Sequence, residues 1–309
     1  IDDVNRLRPH VKTHKAREAV LLQMAAGINK FKCATIAEAE MLARCQAPDV
    51  LLAYQPVGPK INRLIALIKK YPATKFSCLV DDSIVANEVS KKASEENLVI
   101  TVYVDLNVGM NRTGIIPGEP AIDLYIECAK QTGIRPVGLH AYDGHIHDKD
   151  LEIRKRKSDE AFVPVVWLKE ELMKKGLGET IIIAGGSPTF AVHAKREKIE
   201  CSPDTFIYWD AGYQQGLPEQ PFLPAALVFS RVISHPGENL ICLDLGHKSV
   251  AAEKDLNSRV VFLNAPELKF VGQSEEHLVA ETDKHHSYKV GDVLYGLPFH
   301  ICATCALYE

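Results

Sequence analysis

Arg8-Pro9-His10-Val11-Lys12-Thr13-His14-Lys15 places five basic or potentially basic side chains within eight residues. Leu7–Lys12 reads as a short strand entering a turn. Pro9 biases Arg8 towards extended geometry, and Thr13 is of a type that caps a helix. Lys12 then stands at a strand's carboxyl end among cations that lower its pKa, a setting for a lysine nucleophile towards a carbonyl. Lys15 is its competitor, and a basic surface turn is the plain alternative. A second group is Gly185-Gly186-Ser187-Pro188-Thr189. Its glycines admit a ligand close to the backbone, and two hydroxyls near a helix start suit an anion such as phosphate. The alternative is an ordinary loop with a serine cap. A third is His300-Ile301-Cys302. In an extended segment the two side chains share a face, and a thiolate with an imidazole suits zinc. A satisfied histidine beside a buried cysteine would give the same letters.

The elements that must position these groups alternate. Candidate strands are 7–12, 30–34, 50–54, 76–80, 99–104, 136–141, 180–184 and 205–209. Between them, 17–26, 36–44, 60–70, 83–95, 119–131, 150–175 and 188–197 carry helical spacing. Eight strands separated by seven helices imply an α/β chain folded as a (β/α)8 TIM-type barrel. Beyond about residue 218, short strands at 225–234, 240–245, 259–263, 267–272, 277–281 and 293–295 run between turns with no helix. The expected division is therefore a barrel over 1–218 and an all-β domain over 219–309. Such barrels draw active-site groups from strand carboxyl ends. Here these are Lys12, Cys33, Gln55, Asp81, Asp105 with Asn107, Gly109 and Arg112, then His140, Tyr142 and His145, the Gly185–Thr189 loop, and Asp210 with Gly212. A lysine on the first strand and a phosphate cup on the seventh together suggest pyridoxal 5'-phosphate, whose aldehyde needs an amine and whose phosphate needs an anchor.

Composition excludes several classes. The net charge of −4 over 309 residues argues against a nucleic-acid binder. No apolar run approaches the ~18 residues of a membrane span. Eight cysteines without a framework spacing suit a reducing compartment, so the cytoplasm is expected. With no initiator Met, no signal peptide and an abrupt finish at Leu307-Tyr308-Glu309, both ends read as clipped.

The 8–15 segment resembles the lysine motif of the D-serine dehydratase/D-threonine aldolase family, the metal-assisted branch of the alanine racemase-like pyridoxal-phosphate enzymes. Residues 104–114, 138–145, 185–189, 274–277 and 298–302 resemble further family motifs in the same order, over nearly the whole chain. One departure falls at Asp204, where the family more often has glycine. The resemblance implies that Lys12 forms the internal aldimine and serves as base on the substrate's Cα proton. It implies Arg112 facing the cofactor ring or its hydroxyl, His140 and Tyr142 flanking the cofactor, Gln55 touching cofactor or substrate, and Ser187, Thr189, Gly212 and Tyr213 holding the phosphate. It implies His300 and Cys302 as ligands of a divalent metal, zinc first, with manganese or magnesium as alternatives. His145-x-His147-Asp148 and His285-His286 read as loop.

The activity implied is a lyase acting on D-3-hydroxy amino acids, with no nucleic-acid or membrane partner. Dehydration to a 2-oxo acid and ammonia is the first reading, because in the family a His-x-Cys pair accompanies the zinc dehydratases. Aldol cleavage to glycine and an aldehyde is the alternative. An amino-acid racemase and a non-catalytic pyridoxal-phosphate carrier are the rivals. The family also implies a head-to-tail homodimer.

Overall fold

The computed structural model describes residues 1–308. Seven parallel strands, β1 (Lys30–Cys33), β2 (Asp49–Leu52), β3 (Lys75–Val80), β4 (Ile100–Leu106), β5 (Ile134–Ala141), β6 (Ile181–Ala184) and β7 (Ile199–Cys201), pair in chain order. The helices between and before them are α1 (Arg17–Ala25), α2 (Ile36–Arg44), α3 (Pro59–Lys70), α4 (Ser83–Glu95), α5 (Glu119–Lys130), α6 (Leu151–Lys174) and α7 (Phe190–His193). Local chemistry starts several of them. Thr35 accepts Glu38 N–H while the Glu38 carboxylate accepts Ala34 N–H, and Asp82 and Asp150 cap α4 and α6.

The eighth stave is not a regular strand. Leu7 bridges Cys201 and His10 bridges Lys32. Arg8 and His10 N–H donate to the carbonyls of Cys201 and Pro203 (both 2.9 Å), and Lys32 N–H donates to that of Pro9 (2.8 Å). These bonds close β7 onto β1 and complete the barrel. Pro9 has no N–H with which to extend the ladder, and His10 Nδ1 accepts Lys12 N–H, turning the chain into a 3-10 turn at Val11–Thr13. Lys12 therefore stands in the first turn beyond the closing segment rather than on a strand. Thr13 is buried in that turn, and Ala16 occupies the N-cap of α1. The strand expected at 205–209 is also displaced: Thr205–Ile207 is a 3-10 turn, and Ile199–Cys201 fills the place in the ladder.

Alternation sorts the barrel strands into two faces. Val50, Leu52, Cys78, Val80, Val102, Val104, Leu139, Ile182 and Ala184 join the core against the helices. Leu51, Leu79, Tyr103 and Ile183 form a separate apolar layer inside the barrel. Gly138 makes room for it, since a Cβ there would lie 2.2 Å from Ile181 O and 2.9 Å from the Tyr103 ring. At the amino ends of the strands, buried Arg8 binds Glu200 (Nε–Oε2, 2.7 Å) and Asp49 (Nη1–Oδ1, 2.6 Å), and Lys30 also binds Glu200.

The chain divides into compact units Ile1–Asp204 and Thr205–Glu309, earlier than the expected boundary at 218. The reason lies in the 205–217 segment. Trp209 packs on Tyr213 and Phe222 (5.3 and 5.1 Å between ring centroids), and Asp210 caps α8 (Ala211–Gly216) while accepting Ile301 N–H (3.0 Å). The second unit is an antiparallel sheet of β8 (Val228–Gly237), β9 (Leu240–Leu243), β10 (Val260–Phe262), β11 (Lys269–Gln273), β12 (Leu278–Glu281) and β13 (Val293–Pro298), ordered β10-β13-β8-β9-β12-β11. It ends in the short α9 (Ile301–Cys305). Among the described residues no helix is long and apolar enough to cross a membrane.

Candidate active site

The carboxyl ends of the barrel strands hold a polar cluster centred on Lys12. The Lys12 ammonium is bonded to the Asp204 carboxylate, which also accepts the Ser187 hydroxyl. Asp204 N–H donates to Ser187 Oγ at 3.1 Å. Burial works to raise the Asp204 pKa, but the Lys12 charge and the bonds from Lys12 and Ser187 outweigh it and hold the carboxyl well below its ordinary value. The Lys12 side chain is 37% exposed in this otherwise buried surrounding, so its amine is within reach of a ligand.

Behind Lys12 runs a second chain of groups. Asp105 Oδ1 bonds His140 Nδ1 at 2.7 Å, and His140 Nε2 lies 3.5 Å from Lys32 Nζ. Burial lowers the His140 pKa although Asp105 opposes it. The ring is then neutral, with Nδ1–H donating to Asp105 and Nε2 accepting from Lys32. Burial pushes Lys32 down to about 7; Asp204 and Asp105 resist, while Lys12 and Arg8 add to the depression. His10, also buried, is held well below its ordinary value by burial and the Lys32 and Lys12 charges. Lys32 and Arg112 both approach the Tyr142 ring, at 5.7 and 5.1 Å from its centroid. Arg112 is exposed.

The loop after β6 is anchored from below. Thr189 Oγ1 donates to Asp143 Oδ1 (2.7 Å), whose other oxygen meets His193 Nε2 (2.8 Å). The helix that the loop opens is a single turn, so it adds little macrodipole to an anion site. Gly186 leaves the space in front of Tyr142, because a Cβ there would approach its Cε2 to 2.9 Å. Gln55 Oε1 accepts Asp81 N–H at 3.2 Å, bracing the ends of β2 and β3. Cys33 lies on the outer face in the apolar core and takes no part.

The structure thus gathers Lys12, Ser187, His140, Tyr142 and Arg112 around the barrel mouth. Gly212 and Tyr213 belong to the second unit, where Gly212 N–H donates to Phe299 O (3.1 Å) and Tyr213 N–H to Asp210 (2.8 Å). His300 and Cys302 also converge, by a route other than an extended segment: His300 is the N-cap of α9 and Cys302 lies in its first turn. Hydrogen bonding with Cys302 lifts His300 to about 9; burial opposes the rise and Glu253 adds to it. Thr205 Oγ1 lies 3.4 Å from Cys302 Sγ. His300 Nδ1 is also bonded to the Glu253 carboxylate, and among the described residues no group of three or more His, Cys, Asp or Glu side chains is arranged to hold a metal.

The donor set fits pyridoxal phosphate at its aldehyde and ring: an accessible primary amine, a neutral histidine, and a tyrosine faced by Gly186. At the phosphate end the Ser187 hydroxyl is shared with a carboxylate. Sequence reasoning overlooked Lys32, although alternation carried the signal: if Phe31 and Cys33 face the helices, Lys30 and Lys32 must point into the barrel.

Fold and site together define a barrel enzyme of the alanine racemase type with an appended β domain. Residues 2–201 match the family model for the alanine racemase N-terminal domain, and residues 225–309 match that for a putative serine dehydratase domain. The chain belongs to the D-serine dehydratase/D-threonine aldolase family of pyridoxal-phosphate-dependent lyases. It is similar to 3-hydroxy-D-aspartate aldolase of Paracoccus denitrificans, 26% identical over 98% of this chain and 80% of that protein. The structure of D-threonine aldolase from Filomicrobium marinum superposes with a TM-score of 0.91, at 27% identity over 99% of this chain and 83% of that one. D-threo-3-hydroxyaspartate dehydratase of Delftia is 23% identical over 97% of this chain and 84% of that protein. A variant of a D-threo-3-hydroxyaspartate dehydratase, solved in a metal-free form, has a TM-score of 0.85 at 20% identity, covering 98% of this chain and 85% of that one.

Proposed function

We propose that this chain is a pyridoxal-phosphate- and divalent-metal-dependent lyase of D-3-hydroxy amino acids, with dehydration to a 2-oxo acid and ammonia as its first activity. The observation that carries the reading is the Lys12–Asp204–Ser187 constellation, an amine and an anion-cup hydroxyl tied to one carboxylate. When bound, the cofactor supplies an aldehyde for linkage to an amine and an electron sink for the bond broken at Cα. Lys12 would hold it, and its Nζ would take the substrate's α-proton when neutral. His140, oriented by Asp105, and Tyr142 with Arg112 would fix the ring, and Ser187 and Thr189 would face its phosphate. His300 and Cys302 would hold a metal, zinc first by the softness of the thiolate, to act as Lewis acid at the hydroxyl.

Aldol cleavage is the second reading, favoured by the relatives named as D-threonine aldolase and 3-hydroxy-D-aspartate aldolase. Incubation with D-serine, D-threonine and D-3-hydroxyaspartate, with and without chelator, separates the two. Elimination yields 2-oxo acid with ammonia, whereas cleavage yields glycine with an aldehyde or oxo acid. Turnover of none of these D-hydroxy amino acids by protein carrying both cofactor and metal would overturn the proposal. The homodimer belongs to the same reading, and sedimentation equilibrium measures it.

A further inference from the structure

We propose that Asp204 competes with the cofactor for both of its anchors, and so sets how tightly and over what pH range the barrel loads it. This rests on the reading of Lys12 as the lysine that carries the cofactor. One Asp204 oxygen is bonded to the Lys12 ammonium, and the other accepts the hydroxyl of Ser187. The carboxylate is buried, so solvent screens it poorly. A phosphate drawn to Ser187 meets that negative charge, and like charges in a buried site repel strongly. Lys12 meets the opposite difficulty, because the carboxylate stabilises its protonated form.

Loading requires the Lys12 ammonium to give a proton to solvent. The neutral nitrogen then adds to the aldehyde carbon, a C=N bond forms, and the carbonyl oxygen leaves as water. Asp204 remains a carboxylate throughout, and its pull on the proton opposes the first step. The other groups facing it are Lys12 and His10 from the amino-terminal segment, Lys32 from β1, Tyr142 after β5 and Ser187 after β6. Burial keeps His10 neutral and Lys32 close to losing its proton, so neither replaces Lys12 as the counter-charge.

The test is equilibrium titration of apoprotein with pyridoxal 5'-phosphate, followed by absorbance of the lysine-bound cofactor. It compares wild type with Asp204→Asn, Asp204→Gly and Asp204→Glu between pH 6 and 9. Both neutral replacements are expected to bind about tenfold more tightly or better, and to shift the pH midpoint for linkage down by about one unit. Asp204→Glu keeps the charge and is expected to track wild type. Borohydride reduction and peptide mapping of each protein locate the attachment. If Lys12 carries the label in all four while affinity and midpoint coincide, or the neutral variants bind more weakly, the inference is overturned and the reading of Lys12 stands. If Lys12 is labelled in none, both fall.

Discussion

Replacing Lys32 by methionine should stabilise the protein at neutral pH, by an amount that fades as the solution becomes alkaline. Lys32 is 3% exposed, and its pKa falls from 10.5 to about 7 on folding, chiefly through burial. Between these values the unfolded chain binds the proton and the folded chain does not, so wild-type stability rises with pH across that window. A displacement of this size corresponds to about 5 kcal/mol against the folded state at pH 7 and below. Methionine removes the ionisation while keeping an unbranched chain of similar length. It also leaves His140 Nε2 without its donor, for which about 1 kcal/mol is subtracted. The expected gain is about 4 kcal/mol at pH 6.5, about 2 at pH 8.5 and close to zero at pH 10. Urea unfolding of both proteins at these three values gives the difference directly. Parallel stability curves, or a variant less stable at pH 6.5, would mean that Lys32 is charged and well paired, and the argument from burial would be wrong.

Arg8→Ala leaves Asp49 and Glu200 short of a buried counter-charge, and should lower stability by about 3–5 kcal/mol and the thermal midpoint by roughly 6–15 °C, measurable by calorimetry. Gly186→Ala puts a Cβ against the Tyr142 ring; cofactor affinity should drop about tenfold or more, by absorbance titration, with the unfolding midpoint within a few degrees of wild type. His300→Ala and Cys302→Ala should each abolish lyase turnover while leaving the absorbance of lysine-bound cofactor intact, and a chelator applied to wild type should reproduce that pattern. Retained turnover in both variants would remove the metal from the proposal.

Most helices were legible: Thr35 with Glu38, Asp82 and Asp150 stand where caps belong, and the ends of α1 to α6 differ from the expected ones by at most one residue, whereas α7 is the single turn Phe190–His193 in place of the expected 188–197. The buried strands β2 to β6 announced themselves as apolar, β-branched runs. Of the two segments that close the barrel, the first was expected as the strand 7–12, and Leu7 to His10 do bridge β7 and β1; the second, Ile199–Cys201, was not anticipated. Arg8 and Glu200 point inward and satisfy each other from opposite ends of the chain, so Ile199–Cys201 shows neither an apolar run nor an alternation typical of a half-buried strand. No local rule can anticipate a buried charge whose partner lies 192 residues away. The same blindness applied to the site. Lys12, His140, Tyr142 and Ser187 could be placed from strand ends, but Asp204 was visible only as an unusual letter until the fold set its carboxylate between Lys12 and Ser187.

The barrel interior explains how so many charges coexist without mutual ruin. Its amino end balances Arg8 and Lys30 against Glu200 and Asp49. Its carboxyl end groups Lys12 and Lys32 with Asp204 and Asp105 around neutral His10 and His140. Between them lies the apolar layer of Leu51, Leu79, Tyr103 and Ile183. Such a layer is poorly polarisable, so each end must find its counter-charges locally, and a charge left unmatched at one end is not relieved by the other. The amino end meets that condition with four charges in direct contact. At the carboxyl end burial pushes Lys32 down to about 7, so near neutrality it is an amine able to take up a proton when an anion arrives. A binding site needs that reserve, and a structural plug does not. On the proposed function, that difference sets the carboxyl end, which holds Lys12 and Ser187, apart from the amino end.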